Sequence, residues 1–203
     1  MSIGKSIRSG VKWLMVGTVG MRLMEFAFGV ILARLLVPAD FGMIVTIQVF
    51  TGFVGMLTSG GMGQSLIRAK EADENDFNAV FTMQLGLGIL VYLAFYFSAP
   101  WIASFFDTSL YADLIRVSTL VFLMRPFAFM RRSWLNREMD FKMRSMIELV
   151  AAILTGIASV LMAWAGMGVW SLTLSGLLGA LITNILLARL TPLRLRINLD
   201  FDI

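Results

Sequence analysis

Six apolar stretches, each long enough to cross a lipid bilayer, dominate this 203-residue chain. A helix rises ~1.5 Å per residue and the hydrocarbon core is ~30 Å thick, so roughly 20 apolar residues make one crossing. Inside hydrocarbon every backbone N–H and C=O must be satisfied within the fold, and these stretches lack the alternation of barrel strands, so each reads as a helix. Trp13, Trp101, Trp134, Trp164 and Trp170 all fall at the ends of the runs, where an amphipathic ring sits half in water. Hydrophobic residues reach 58% and charged residues only 15%, against about 45–50% and about 25% in soluble domains. A water-soluble fold could not bury that much apolar surface.

The expected class is all-α: a polytopic membrane protein with helices at about 11–36, 41–66, 77–99, 112–130, 145–165 and 169–190. The first run is too long for a signal peptide and carries Arg22 and Glu25 in its middle, so it is read as a retained helix. Pro38 stops it, and Asp40 is expected to cap the second helix. Pro100 and Trp101 are expected to end the third. Residues 131–144, with Arg131, Arg132, Arg137, Lys142 and Arg144 around Trp134 and Phe141, suit an interfacial segment against anionic membrane lipids. Only Gly166, Met167 and Gly168 separate the last two helices, and 191–203 is a mixed tail facing the cytoplasm.

Every Lys and Arg except Arg22, Arg34, Arg116 and Arg125 falls at or beside the amino terminus, the second-to-third loop, the fourth-to-fifth loop or the tail. Those segments alternate to one side, and the positive-inside rule makes that side cytoplasmic, with both termini inside. Thiols introduced at Lys70 and Asn136 are expected to resist an impermeant maleimide in intact cells, and one at Ser109 to react; the chain has no native Cys. Labelling of Lys70→Cys or Asn136→Cys from outside would reverse the orientation.

The absence of Cys and His excludes disulfides, thiolate chemistry, Cys/His zinc sites and Ser/His hydrolysis. No cofactor, metal or enzymatic step is expected. The basic balance, pI near 9.9, is interleaved with membrane spans and forms no nucleic-acid-binding stripe. Chemistry must therefore rest on Asp, Glu, Lys and Arg. Arg22 and Glu25, three residues apart, share a helix face near mid-membrane, where even lenient scales charge about 2.5–3.5 kcal/mol per ionised group. They fit either a self-satisfied structural pair or an anion-binding Arg tuned by its carboxylate. Arg116 and Arg125 point to opposite faces of a straight helix unless Pro126 kinks it, and Arg125 is the better cavity candidate. Glu148 lies one turn from Arg144, the spacing of a local ion pair. Residues 58–65 lack the Gly-Lys-Ser/Thr ending of a phosphate loop; Gly55, Ser59 and Gly63 read instead as a small-residue packing seam.

The segments 31–42 (Ile-Leu-Ala-Arg-Leu-Leu-Val-Pro-Ala-Asp-Phe-Gly), 61–68, 136–142, 147–149 and 166–170, in this order, resemble the amino-terminal half of bacterial polysaccharide (O-antigen and exopolysaccharide) flippases, within the multidrug/oligosaccharidyl-lipid/polysaccharide exporter superfamily. The resemblance implies one six-helix lobe of a two-lobe exporter-type fold in the bacterial inner membrane. It implies a lipid-linked oligosaccharide substrate on a polyprenyl pyrophosphate carrier, bound by Arg22 with Glu25 and Arg125, and a second six-helix lobe or second copy as partner. Family members carry about twelve to fourteen helices, so a six-helix chain is not expected to transport alone. The alternatives are an exporter of amphipathic cations or drugs, favoured by an acidic cavity, and a non-transporting scaffold for envelope polysaccharide assembly.

Overall fold

The computed structural model describes residues 3–59, 74–193 and 195–196. Among them are seven helices and no strand: α1 (Ile3–Leu35), α2 (Pro38–Ser59), α3 (Glu74–Phe105), α4 (Leu110–Thr119), α5 (Val121–Arg137), α6 (Phe141–Trp164) and α7 (Val169–Leu190). Four of these, α2, α3, α6 and α7, are long and apolar enough to cross a membrane. The protein is an all-α membrane protein. α1 also has the length, but it carries Arg22 and Glu25.

The expected fourth helix is divided at Leu120 into α4 and α5. Thr119 Oγ1 donates to the Ile115 carbonyl at 2.8 Å, a back-bond that bends helices. Beyond it the turn tightens, with Leu120 N–H donating to Val117 at 3.2 Å and Leu123 N–H to Leu120 at 3.1 Å. Pro126 has no N–H for the Phe122 carbonyl, which stands against α3 where a Cβ on Gly88 would lie 2.6 Å away. No Gly or Pro marks Leu120, so the break comes from these contacts.

Other boundaries shift for local reasons. Pro38 opens α2, its fixed φ and missing N–H suiting a first turn. Asp40 is therefore inside that turn, and its Oδ2 accepts the Val37 N–H at 3.3 Å rather than capping from outside. α3 runs through Pro100 to Phe105, because Ala99 and Ala103 are buried in the core and Phe106 stacks on Tyr111 at 4.6 Å beyond the helix end. Residues 131–137 continue α5, and α6 starts at Phe141 with Asp140 accepting the Met143 N–H, so the basic segment forms no separate helix. Residues 60–66 of the expected second helix lie outside the described residues.

α1 lies along α6, α6 along α7, and α3 along α4 and α5; α7 also packs on α5 and α4. α2 touches α7, α4 and α3 only lightly. One core cluster joins Ile47, Phe95, Leu114, Phe122 and Val169, and another joins Phe77, Phe81, Met130 and Leu193. The tail start thus folds back onto α3, where the Arg196 N–H donates to Asn78 Oδ1 at 2.8 Å. Trp101 and Trp164 are exposed at helix ends, while Trp134 and Trp170 pack against core clusters.

Close approach of α1, α6 and α7 depends on small residues, as in lipid-embedded bundles. A Cβ on Gly17 would lie 2.6 Å from that of Ser145, and one on Gly179 2.7 Å from Thr155 Oγ1. The Phe28 ring occupies the space a Cβ on Gly156 would need, whereas nothing lies within 4 Å of Gly176. Gly156→Ala is therefore expected to destabilise by about 1–3 kcal/mol through overpacking, with Gly176→Ala neutral or mildly stabilising. Thermal unfolding in detergent checks this, and equal shifts in the two variants would contradict it.

Candidate functional site

Two cavities open between the helices and share a wall at Arg132, Gly179 and Thr183. The larger, a groove of about 720 Å³, lies between α1 and α6–α7, with Gln48 of α2 on its edge. Its lining mixes apolar Phe28 and Leu32 with Glu25, Thr155, Ser159 and Ser175. Ser159 is buried and its hydroxyl has no hydrogen-bond partner among the described residues.

α1 presents Gly17, Met24, Phe28 and Leu32 toward the bundle, which leaves Arg22 facing away from it and Glu25 on the flank. The Arg22 guanidinium donates to Glu25 Oε2 at 2.8 Å, with 78% and 58% of the two side chains exposed. Around them Val19, Leu23 and Phe26 are also exposed. The i,i+3 spacing thus produces the expected pair. It sits within an apolar face at the rim of the groove, because Glu25 also lines the groove.

At the groove floor one carboxylate serves two guanidiniums. Glu148 Oε1 lies 3.3 Å from Arg132 Nε and 3.2 Å from Arg144 Nε, and the Glu148 side chain is only 15% exposed. Arg144 also donates through Nη1 to Asn136 Oδ1 at 2.7 Å. The Arg144 pair follows from i,i+4 spacing. Arg132 comes from the preceding helix and was hidden within the basic run; its separation of seven residues from Arg125, about two turns, is the signal that both look the same way from α5.

Arg125 is not brought together with Arg22 and Glu25. It lines the second cavity, about 550 Å³, between α2, α3, α5 and α7, with Arg132 on the common wall. Its Cζ lies 5.1 Å from the Phe122 ring centroid, and its Nη1 occupies the space of a Cβ on Gly55. Gly55 thus makes room for a side chain, not for a neighbouring helix; Gly63 of the expected seam lies outside the described residues, as do residues 60–65 of the loop-like stretch. Arg116 faces elsewhere, 4.9 Å from the Tyr96 ring and 3.7 Å from Asp113. No group of three or more metal-ligating side chains occurs among the described residues.

Residues 31–203 match the family described as polysaccharide biosynthesis protein. The chain belongs to this family. It is 26% identical over 187 residues to the lipopolysaccharide biosynthesis protein WzxC of Escherichia coli, covering 91% of the chain and 37% of the relative. It is 24% identical over 178 residues to the succinoglycan biosynthesis transport protein ExoT of Rhizobium meliloti, covering 88% and 36%. Against the teichuronic acid biosynthesis protein TuaB of Bacillus subtilis, identity is 24% over 154 residues, covering 76% and 32%. The chain spans about a third of the length of these relatives. No solved structure matches it significantly. These family members agree with the resemblance read from the motifs.

Proposed function

We propose that the chain forms one lobe of a flippase that carries a lipid-linked oligosaccharide from the cytoplasmic to the outer leaflet of the bacterial inner membrane, with both termini cytoplasmic. The observation that carries this reading is the hydroxyl-lined groove of about 720 Å³, opening beside an exposed charge pair on an otherwise apolar α1 face. Sugar hydroxyls find polar partners in Thr155 and Ser175, and a carrier pyrophosphate finds the planar donor fork of Arg22. Charges on an apolar face at mid-membrane depth are too costly to leave against lipid, so that face is the one a second lobe or second copy covers. Alternating access then moves the two bundles around a shared site, and no bond is made or broken.

An exporter of amphipathic cations would need an acidic groove. Here Glu148 is held by two guanidiniums and Glu25 by one, which disfavours a cationic cargo. Deletion of the gene is expected to accumulate undecorated lipid-linked oligosaccharide in the cytoplasmic leaflet while surface glycan falls. Unchanged surface glycan, with no accumulated precursor, would remove the transport reading.

A further inference from the structure

The cavity behind α2 holds more positive charge than its surroundings answer. Arg125 has no carboxylate partner among the described residues. Its contacts are the face of Phe122 and the space vacated by Gly55, which hold the guanidinium across the cavity. Arg132 stands at the common wall, with Glu148 taken up on the groove side. Gln84, on α3, lines the same cavity and is 91% buried. A guanidinium without a counter-charge is costly inside a membrane protein, and a ligand that brings oxyanion acceptors relieves it.

Thr183 and Asn184 are its other polar residues, and the remaining walls are apolar, with Met56, Met124 and Phe129 among them. About 550 Å³ falls in the range of small-molecule sites. Exposed Met56 places one wall on α2, the helix most lightly packed against its neighbours among the described residues. We propose that this cavity, separate from the groove, binds the phosphate ester of a lipid, with Arg125 as the principal phosphate ligand, Arg132 as the second and Gln84 as a hydrogen-bonding partner. A guanidinium fork suits phosphate oxygens, and the apolar walls suit the first methylenes of the chain. The site lies within one lobe; with the polyprenyl carrier as ligand the assignment rests on the transport reading, and with a bilayer phospholipid it does not.

Two phosphate-bearing lipids share this chemistry, a bilayer phospholipid and a polyprenyl carrier, and matched pairs separate them. Purified full chain is incubated with phosphatidylglycerol or diacylglycerol, with polyprenyl phosphate or polyprenol, and with inorganic phosphate, and retention is read by native mass spectrometry. The phosphate ester of at least one pair is expected to be retained about tenfold better than its alcohol, and the pair that shows this identifies the source. Arg125→Gln is expected to remove that preference. Gly55→Ala should weaken it while keeping the charge, because its Cβ displaces the guanidinium, and it serves if Arg125→Gln fails to fold. Arg116→Gln, which removes a guanidinium outside the cavity, should bind as wild type. Equal retention of ester and alcohol in both pairs, wild-type binding by both Arg125→Gln and Gly55→Ala, or retention of inorganic phosphate with neither lipid overturns the assignment.

Discussion

Arg22→Ala is expected to abolish glycan export while membrane abundance stays at the wild-type level. The separation of these readouts follows from the position of the side chain. Arg22 is 78% exposed, and its ion pair among the described residues is with Glu25 on its own helix, so folding of the lobe does not draw on it. A helical pair of this spacing contributes only about 0.2–0.5 kcal/mol in isolated helices. Removing a charge from an apolar face makes insertion no harder, since lenient scales charge about 2.5–3.5 kcal/mol for it. On the proposed reading, what is lost is an anion-binding fork held beside Glu25 at the groove rim. Arg22→Lys keeps the charge without the planar donors and should retain roughly a tenth of export, about 1.4 kcal/mol less transition-state or substrate binding. Glu25→Gln should fall between, because the carboxylate orients the guanidinium. Surface glycan staining with immunoblotting of membranes decides the matter; normal export at normal abundance leaves Arg22 and Glu25 with a structural role alone.

Glu148→Gln should destabilise the lobe by about 2 kcal/mol. One carboxylate oxygen stands between Arg132 and Arg144, so neutralising it leaves two guanidiniums facing each other across an amide. Breaking a fully buried pair costs about 3–5 kcal/mol, and the lower figure reflects the 40% and 30% exposure of the two arginine side chains. Asn136 still holds Arg144 at 2.7 Å, so Arg132 is the charge set loose. Arg132→Gln in the Glu148→Gln background should therefore recover part of the lost stability, a coupling that only contacting residues show. Thermal unfolding of the four variants of the cycle in one detergent measures it. A Glu148→Gln protein that melts with wild type, or a cycle with no coupling, contradicts the network.

The helices and local pairs were readable because they depend on residues near in sequence. Apolar run length marks the crossing helices, three-residue spacing gives Arg22 and Glu25, and four-residue spacing gives Arg144 and Glu148. The short link at 166–168 works because Gly166 and Gly168 both adopt positive φ, 80° and 54°. What escaped depends on neighbours distant in sequence. The expected fourth helix breaks at Leu120 without any breaker residue there, because Thr119 and Pro126 act from either side. Pro100 does not end α3, since buried Ala99 and Ala103 hold the helix on both sides of it. Arg125 lines another cavity than Glu25, with Arg132 of α5 and Gly179 and Thr183 of α7 as the wall between them, which no spacing along the chain encodes. Gly55 resembles a packing residue in sequence, yet its missing Cβ admits a guanidinium from a helix some seventy residues away.

The most direct test of a half-transporter uses purified chain reconstituted with a fluorescent polyprenyl-pyrophosphate oligosaccharide, followed by quenching of the outer leaflet. With at most one chain per vesicle the label should stay in the leaflet where it started. At densities giving several copies, or together with a second six-helix lobe, flipping should appear and should vanish with Arg22→Ala. Robust flipping by single chains would contradict the requirement for a covered α1 face, and failure to flip at every density and with every partner lobe would contradict the transport function itself.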